Sequence, residues 1–237
     1  MSPGTQIGSG NGSPLHKNKG LFPRLWRQWA LACSLGEFLG IAGAAAIAVG
    51  HRLLLGEPVT TEDKLLNLFL MCLAGGIEGT ILATFQWRVL SQVFQQVGRR
   101  QWWAYTVAAA ILGWLLGMMP SLFINDGGEA GAGMAELSGW AFFGMAGLLG
   151  LFLGALFGYF QWLPLKPWSR RSIEWIPANA LGWAAGMIFI FLGASLPDEQ
   201  THWALIVVSG ALGGILGGMA VGAVTGFFLL RLARTPT

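Results

Sequence analysis

Two glutamates, Glu37 and Glu78, are the residues of this 237-residue chain whose type and position could do chemistry. Each lies inside an apolar stretch long enough to cross a bilayer, and Glu78 is set among glycines within residues 75–79. A charged acid at mid-membrane costs at least about 2.5–3.5 kcal/mol, and no Lys, Arg or His is available at that depth to pair with it. We therefore expect at least one acid to be protonated at neutral pH, because burial and the other carboxyl both disfavour ionisation.

The positions of the two acids predict that they face each other. Glu37 is about eight residues from one end of its stretch, and Glu78 is about nine residues from the same end of the next stretch. Two carboxyls sharing a proton are typical of a proton or cation site, and ionisable residues inside membranes are functional by default. The alternative is structural: a neutral glutamate that hydrogen-bonds to a neighbouring helix or to the backbone.

The composition predicts the class of protein that holds these acids. Only 11% of the residues are charged and 54% are hydrophobic, whereas a soluble domain carries about 25% charged residues. The chain is therefore predicted to be an all-α membrane protein that crosses the bilayer several times. Six membrane-spanning helices are predicted, at approximately 29–50, 65–90, 103–124, 138–163, 174–196 and 203–230.

The basic residues predict the orientation. Twelve of the fourteen Lys and Arg lie in the N-terminal tail, in the connections 88–100 and 166–171, or at the C-terminus. The other three connections hold eight acids but only Arg52 and Lys64. Both termini are therefore predicted to be cytosolic. Residues 1–20, rich in Gly, Ser, Asn and Pro, are predicted to be a disordered cytosolic tail, followed by a six-helix transmembrane domain at 21–233.

Two motifs recur and predict an internal repeat. Phe-Gln-Trp occurs at 85–87 and 160–162, and Leu-Gly-x-x-x-Gly occurs at 35–40, 112–117 and 181–186. In the last span, Leu229 stands where the Gln of the first motif is expected. The pattern predicts three tandem helical hairpins with pseudo-three-fold symmetry about the membrane normal, at about 29–97, 102–165 and 173–233.

Both acids belong to the first hairpin alone. Matching the motifs aligns Glu37 with Trp114 and Trp183, and Glu78 with Leu153 and Val221. This asymmetry suggests that one copy of a packing unit has been specialised.

Glycines recur every four residues on the fourth and last spans and predict close helix packing. Packing inside the monomer is the simpler interpretation, and a homodimer face is the alternative. The glycines concerned are Gly150, Gly154 and Gly158, and Gly210, Gly214, Gly218, Gly222 and Gly226.

Gln86, Gln161 and Asn179 are the other polar candidates for an ion, proton or substrate path. Each is also consistent with a structural hydrogen bond between helices. The three His lie in the tail or in loops, so no metal or cofactor site is predicted. No catalytic motif of an enzyme and no pattern of nucleic-acid binding is present.

The Gly-rich helix that ends in Gln-Trp, followed by a basic turn and Gly-Trp-x-x-Gly, resembles uncharacterised multi-pass proteins of bacteria, cyanobacteria especially. The resemblance covers about residues 75–190 and brings no activity with it. It implies a bacterial inner (plasma) membrane or a thylakoid membrane. Two functions stay open: a proton- or cation-coupled transporter or channel using the glutamate pair, and a structural or accessory subunit that packs on itself or on another membrane protein through glycine ridges.

Overall fold

The computed structural model describes residues 20–119, 139–198 and 200–234, and within these ranges the chain is helical without strands. A 3₁₀ turn, Ser172–Glu174, precedes the fifth of six long helices. The predicted tail lies outside the described residues apart from Gly20, as do Glu199 and the connection 120–138. The helices are α1 Leu21–Leu55, α2 Thr61–Val93, α3 Arg99–Met118, α4 Gly139–Leu165, α5 Trp175–Ser195 and α6 Trp203–Leu232.

A short connection joins α1 to α2, and the end of α1 and the start of α2 each have a recognisable capping feature. α1 ends before Gly56, whose φ of 83° is open to glycine at little steric cost, and the Gly56 N–H donates to the Arg52 carbonyl. α2 begins with a capping box, in which the Thr60 hydroxyl accepts from the Asp63 N–H and the Asp63 carboxylate accepts from the Thr60 N–H. This turn places Glu37 and Glu78 on adjacent antiparallel helices.

Five of the six helices, all except α3, are long and apolar enough to cross a membrane. This supports a membrane protein with several spans. The described part of α3 has 20 residues and ends at Met118, whereas the predicted third span continues to residue 124, outside the described residues. That α3 crosses the membrane, and therefore that the chain crosses it six times, stays a prediction.

The helices form a closed ring in which each packs against its neighbours in the chain and α6 packs against α1. The contact between α3 and α4 is the thinnest. Because neighbours run antiparallel, α1, α3 and α5 all begin at the same end, which we call the basic end. Its described cations are Arg24, Arg27, Arg88, Arg99, Arg100, Lys166, Arg170, Arg171, Arg231 and Arg234.

The predicted packing glycines lie against helices of the same chain. On α4, Gly150, Gly154 and Gly158 face the backbone of α5. On α6, the five glycines spaced four residues apart face α1: Gly210, Gly214, Gly218, Gly222 and Gly226. A β-carbon at Gly222, for example, would lie 2.6 Å from Ala30 Cα. These positions allow backbones to approach as no larger residue would permit.

Three tryptophans meet at the centre of the ring near the basic end. Trp29, Trp102 and Trp175 are fully buried and pack edge-to-face, with ring centroids 5.8–6.4 Å apart. We call this set the tryptophan triangle. Three fully buried leucines belong to the same apolar cluster and form the leucine layer: Leu90, Leu165 and Leu229. Together these layers close the basic end of the bundle.

The glycine contacts predict which glycine substitutions destabilise the ring of helices. In Gly154→Ala, the new methyl would overlap the Asn179 carbonyl oxygen, so we expect the free energy of unfolding to fall by about 1–3 kcal/mol. Gly144→Ala on the same helix is the control, because nothing lies within 4 Å of its added β-carbon and Ala favours helix by about 1 kcal/mol. Unfolding in mixed micelles measures both, and equal stability of the two variants would contradict the packing.

Candidate functional site: a glutamate pair beside an aromatic cavity

The structure brings Glu37 of α1 and Glu78 of α2 together inside the ring. Glu37 is 0% exposed and Glu78 is 4% exposed, and their carboxyl groups are near enough to share a hydrogen bond. Neither oxygen of Glu37 accepts a hydrogen bond from any N–H or O–H donor of the described residues. A buried carboxyl normally has such partners, so this side chain depends on its neighbour and on a proton or cation.

Glycines provide the room for this pair. A β-carbon at Gly40 would collide with the Glu78 side chain, and one at Gly218 would lie 2.8 Å from Cβ and Cγ of Glu37. α1, α2 and α6 therefore pack closely around the two carboxyls, each acid lying over a glycine of a neighbouring helix.

Trp114 of α3 completes the site. Its Nε1–H donates to Glu78 Oε2 over 2.6 Å, and Gly75 makes room because a β-carbon there would overlap the indole ring. The sequence analysis used Trp114 only as a repeat position and missed this contact. The available signal was its place in the middle of an apolar span, since membrane Trp is enriched at the interfaces.

No described cation offsets the pair. The ion pairs Arg52–Glu57, Arg171–Glu174 and Arg231–Glu174 join partly exposed side chains at helix ends or in connections. The buried Cys33 thiol lies one turn from Glu37 on α1. Two ionised carboxylates in this setting would repel each other with little screening, so the arrangement suits protonation of at least one carboxyl, or one bound cation.

A cavity of about 230 Å³ lies beside Glu78, on the side away from the tryptophan triangle. Its walls come mainly from α3, α4 and α5, where the ring contact is thinnest. Four aromatic side chains line it, Trp114, Phe157, Trp183 and Phe191, and Phe157 stacks on Trp183 with centroids 4.9 Å apart. Glu78 is the only ionisable residue among the described lining residues.

Gln86 and Gln161 lie together on the other side of the pair, toward the basic end. Gln161 Nε2 donates to Gln86 Oε1 over 3.0 Å and to Thr106 Oγ1 over 3.1 Å, while its Oε1 accepts from Trp175 Nε1 over 3.2 Å. Gln86 Nε2 lies 3.5 Å from the Cys33 sulfur. Buried polar groups thus extend from the glutamate pair, by way of Cys33, to the tryptophan triangle.

Asn179 is not part of this network. It is buried, but its Nδ2 donates to the Trp175 carbonyl within α5, over 2.9 Å. Its β-carbon also faces Gly158 of α4. The geometry around Asn179 therefore offers a packing role, and nothing joins it to either glutamate.

The other two triangle tryptophans differ in their hydrogen bonds. Trp29 Nε1 donates to Thr225 Oγ1 of α6 over 2.9 Å, whereas Trp102 Nε1 has no partner among the described residues. Thr225 was not singled out by the sequence analysis, because nothing in its own segment marks it as polar core.

No group of three His, Cys, Asp or Glu in the described residues is arranged to hold a metal ion. No protein-family model, curated protein or solved structure matches the chain significantly. The similarity of residues 75–190 to cyanobacterial-type multi-pass proteins stays a prediction, and the function is inferred from the geometry of the site.

The hydrogen bonds of the tryptophan triangle predict a difference between two matched variants. Trp175→Phe leaves the buried Gln161 Oε1 without its donor, whereas Trp102→Phe removes a donor that has no partner. Trp175→Phe should therefore lower the free energy of unfolding by about 1–3 kcal/mol more than Trp102→Phe does. Equal losses in micelle unfolding would show that the Trp175–Gln161 bond contributes nothing.

The room at Gly40 predicts a coupling with Glu78. Gly40→Ala should cost about 1–3 kcal/mol by displacing the Glu78 side chain, while Gly43→Ala, with nothing within 4 Å, should cost less. In a Glu78→Ala background the cost of Gly40→Ala should largely disappear. A double-mutant cycle on unfolding free energies measures this, and simple additivity would rule the contact out.

Proposed function

We propose that this chain is an integral membrane protein of transporter or channel character, in which the Glu37–Glu78 pair takes up and releases a proton or cation. The observation that carries the proposal is the orphaned Glu37 carboxyl, fully buried with the Glu78 carboxyl as its polar neighbour. A membrane-buried carboxyl without a base is costly, and such residues commonly mark ion or proton paths.

Two features support access to the pair from one side. The aromatic cavity reaches Glu78 from the end opposite the tryptophan triangle. The triangle and the leucine layer are fully buried and separate the glutamine network from the basic end. A site that is approached from one side and closed on the other is the arrangement expected for alternating access, in which the closed side must rearrange to release a proton.

We also infer that the ring arose from three copies of one helical hairpin. Trp29, Trp102 and Trp175 are each 73 residues from the next, and each is fully buried in the first half of an odd-numbered helix. The residues four positions later are Cys33, Thr106 and Asn179, and each meets a glycine of an even-numbered helix. The glycines that meet these residues are Gly218, Gly79 and Gly154.

This packing supports a different register for α3 and for α6 from the one that the motifs indicate. The seventh residues after Gly79, Gly154 and Gly218 are Gln86, Gln161 and Thr225. Thr225 then takes the place that sequence matching gave to Leu229, and Leu229 joins the leucine layer. In this register Glu37 aligns with Ala110 and Trp183, and Glu78 aligns with Leu153 and Gly217. Both acids still belong to one copy only.

The charge distribution supports cytosolic termini. The basic end carries ten of the described cations, and the described part of the opposite end carries Arg52 and Lys64. By the positive-inside rule, the basic end faces the cytosol, and the aromatic cavity then lies in the outer half of the bundle. In a bacterium the membrane would be the inner membrane or a thylakoid.

A second function, that of a structural or accessory subunit, is favoured by the Trp114–Glu78 hydrogen bond. This bond ties α3 to α2, and an acid used only to hold helices together would have such a partner. The glycine ridges of α4 and α6 do not support docking of a partner there, because they are occupied by α5 and α1.

Proton flux distinguishes the two functions. In proteoliposomes with an imposed pH gradient and a clamped membrane potential, the wild type should carry protons, and Glu37→Gln and Glu78→Gln should fall to the rate of protein-free liposomes. Each amide keeps the side-chain shape but cannot exchange a proton at that position. Glu57→Gln is the control, since this exposed acid pairs with Arg52 outside the bundle.

Unchanged flux in both buried variants, or a wild type no faster than protein-free liposomes, would contradict the proposal and favour the accessory subunit. Elution as a single species from size exclusion, with wild-type helix content, shows that a variant is folded.

A further inference from the structure

The walls of the aromatic cavity limit what it can bind. At about 230 Å³ it is smaller than the roughly 300–1,000 Å³ of drug-sized sites, so a ligand of modest size is required. Among its described lining residues the only indole N–H donors belong to Trp114 and Trp183, and the Trp114 N–H is already bonded to Glu78. These described lining residues include no Lys, Arg or His, so they offer an anion no counter-charge.

Several cationic ligands are also excluded by chemistry. A hard cation such as Ca²⁺ takes about six to eight oxygen ligands, and the lining offers a single carboxyl side chain. A primary ammonium carries three N–H donors and would leave some of them unsatisfied against aliphatic and aromatic walls. A cation with little need for hydrogen bonds fits better.

Aromatic faces supply that fit. Cations without N–H groups, such as quaternary ammonium ions, are recognised by sets of aromatic rings, whose faces are electron-rich. Here Trp114, Trp183, Phe157 and Phe191 are among the residues that line the space, and among its described lining residues only Glu78 can provide a negative charge. The unsatisfied carboxyl of Glu37 stands directly behind Glu78 and can keep the proton when Glu78 is charged.

From this arrangement we propose that the cavity is a binding site for a small quaternary organic cation, held between the aromatic rings and the Glu78 carboxylate. The inference deepens the proposed function and rests on it in one respect: the cation takes the place of a proton on the pair. In the unbound site each of the two carboxyls carries a proton. Binding would release the proton of Glu78, which becomes a carboxylate paired with the cation, while Glu37 keeps its own proton. Uptake of one positive charge then balances loss of another.

Phenyltrimethylammonium is the probe, and tert-butylbenzene, in which carbon replaces the charged nitrogen, is the matched neutral control. Radiolabelled phenyltrimethylammonium is bound to the full chain in nanodiscs, and each unlabelled compound is tested for displacement. The charged compound should displace the label and the neutral one should fail at the same free concentration. Equal displacement by both would overturn the cation site and make the cavity a general apolar one.

Two substitutions locate the binding. Glu78→Gln should weaken binding about 30-fold or more, because the buried charge loses its partner. Trp183→Leu keeps an apolar wall and should weaken binding about 2- to 30-fold through loss of one aromatic face. Trp140→Leu is the control and should bind like wild type, because Trp140 of α4 is 90% exposed and does not line the cavity. Wild-type affinity in Trp183→Leu, or in a folded Glu78→Gln, would overturn the proposal.

Measuring proton release on binding, in weakly buffered solution, tests the cation site separately from the proposed transport function. Glu78-dependent binding with release of about one proton per cation supports both. Glu78-dependent binding without release keeps the cation site but contradicts the exchange of a proton for the cation. Glutamate-dependent proton flux without any binding keeps the proposed function and overturns the cation site.

Discussion

Burial of two carboxyl groups without a basic partner is the constraint on which the rest of this structure depends. In water the two acids would ionise independently, but inside a ring of apolar helices neither charge can be solvated. In the structure, Glu78 accepts a hydrogen bond from a single strong donor, the Trp114 indole. Glu37 has no hydrogen-bond donor among the described residues. A proton, a cation or both are therefore needed to complete the site, and this requirement is the basis of the transport function that we propose.

The glycines make this arrangement possible, since they decide how near the helices come. Gly40 and Gly218 leave room for the two acids, and Gly75 leaves room for the indole that binds one of them. A larger residue at any of these positions would force helices apart or push a carboxyl aside. The abundance of glycine is thus partly a property of the site, besides being a common feature of packed membrane helices.

The two ends of the bundle are built differently, although the helices are similar. At the basic end, three tryptophans and three leucines fill the centre, and the glutamine network lies beneath them. On the other side of the glutamate pair, the weak contact between α3 and α4 leaves a cavity. In the three-copy origin that we propose, one hairpin carries acids where the other copies carry Ala, Trp, Leu or Gly, and this difference gives the ring its buried acidic centre.

The sequence by itself determined the features that depend on local pattern. Apolar stretches predicted a helical membrane protein, five of whose spans are supported, and the depth of Glu37 and Glu78 from a shared end predicted that the acids meet. The start of α2 lies at Thr61, before the predicted span, because the Thr60 capping box begins the helix there. Only the tertiary structure decided the Trp114 bond, the orphaned Glu37, the cavity, and the separation of Asn179 from the polar network. These depend on which distant helices touch and how closely, because contact between remote segments is set by side-chain packing around the whole ring and leaves no periodic signal in any one helix.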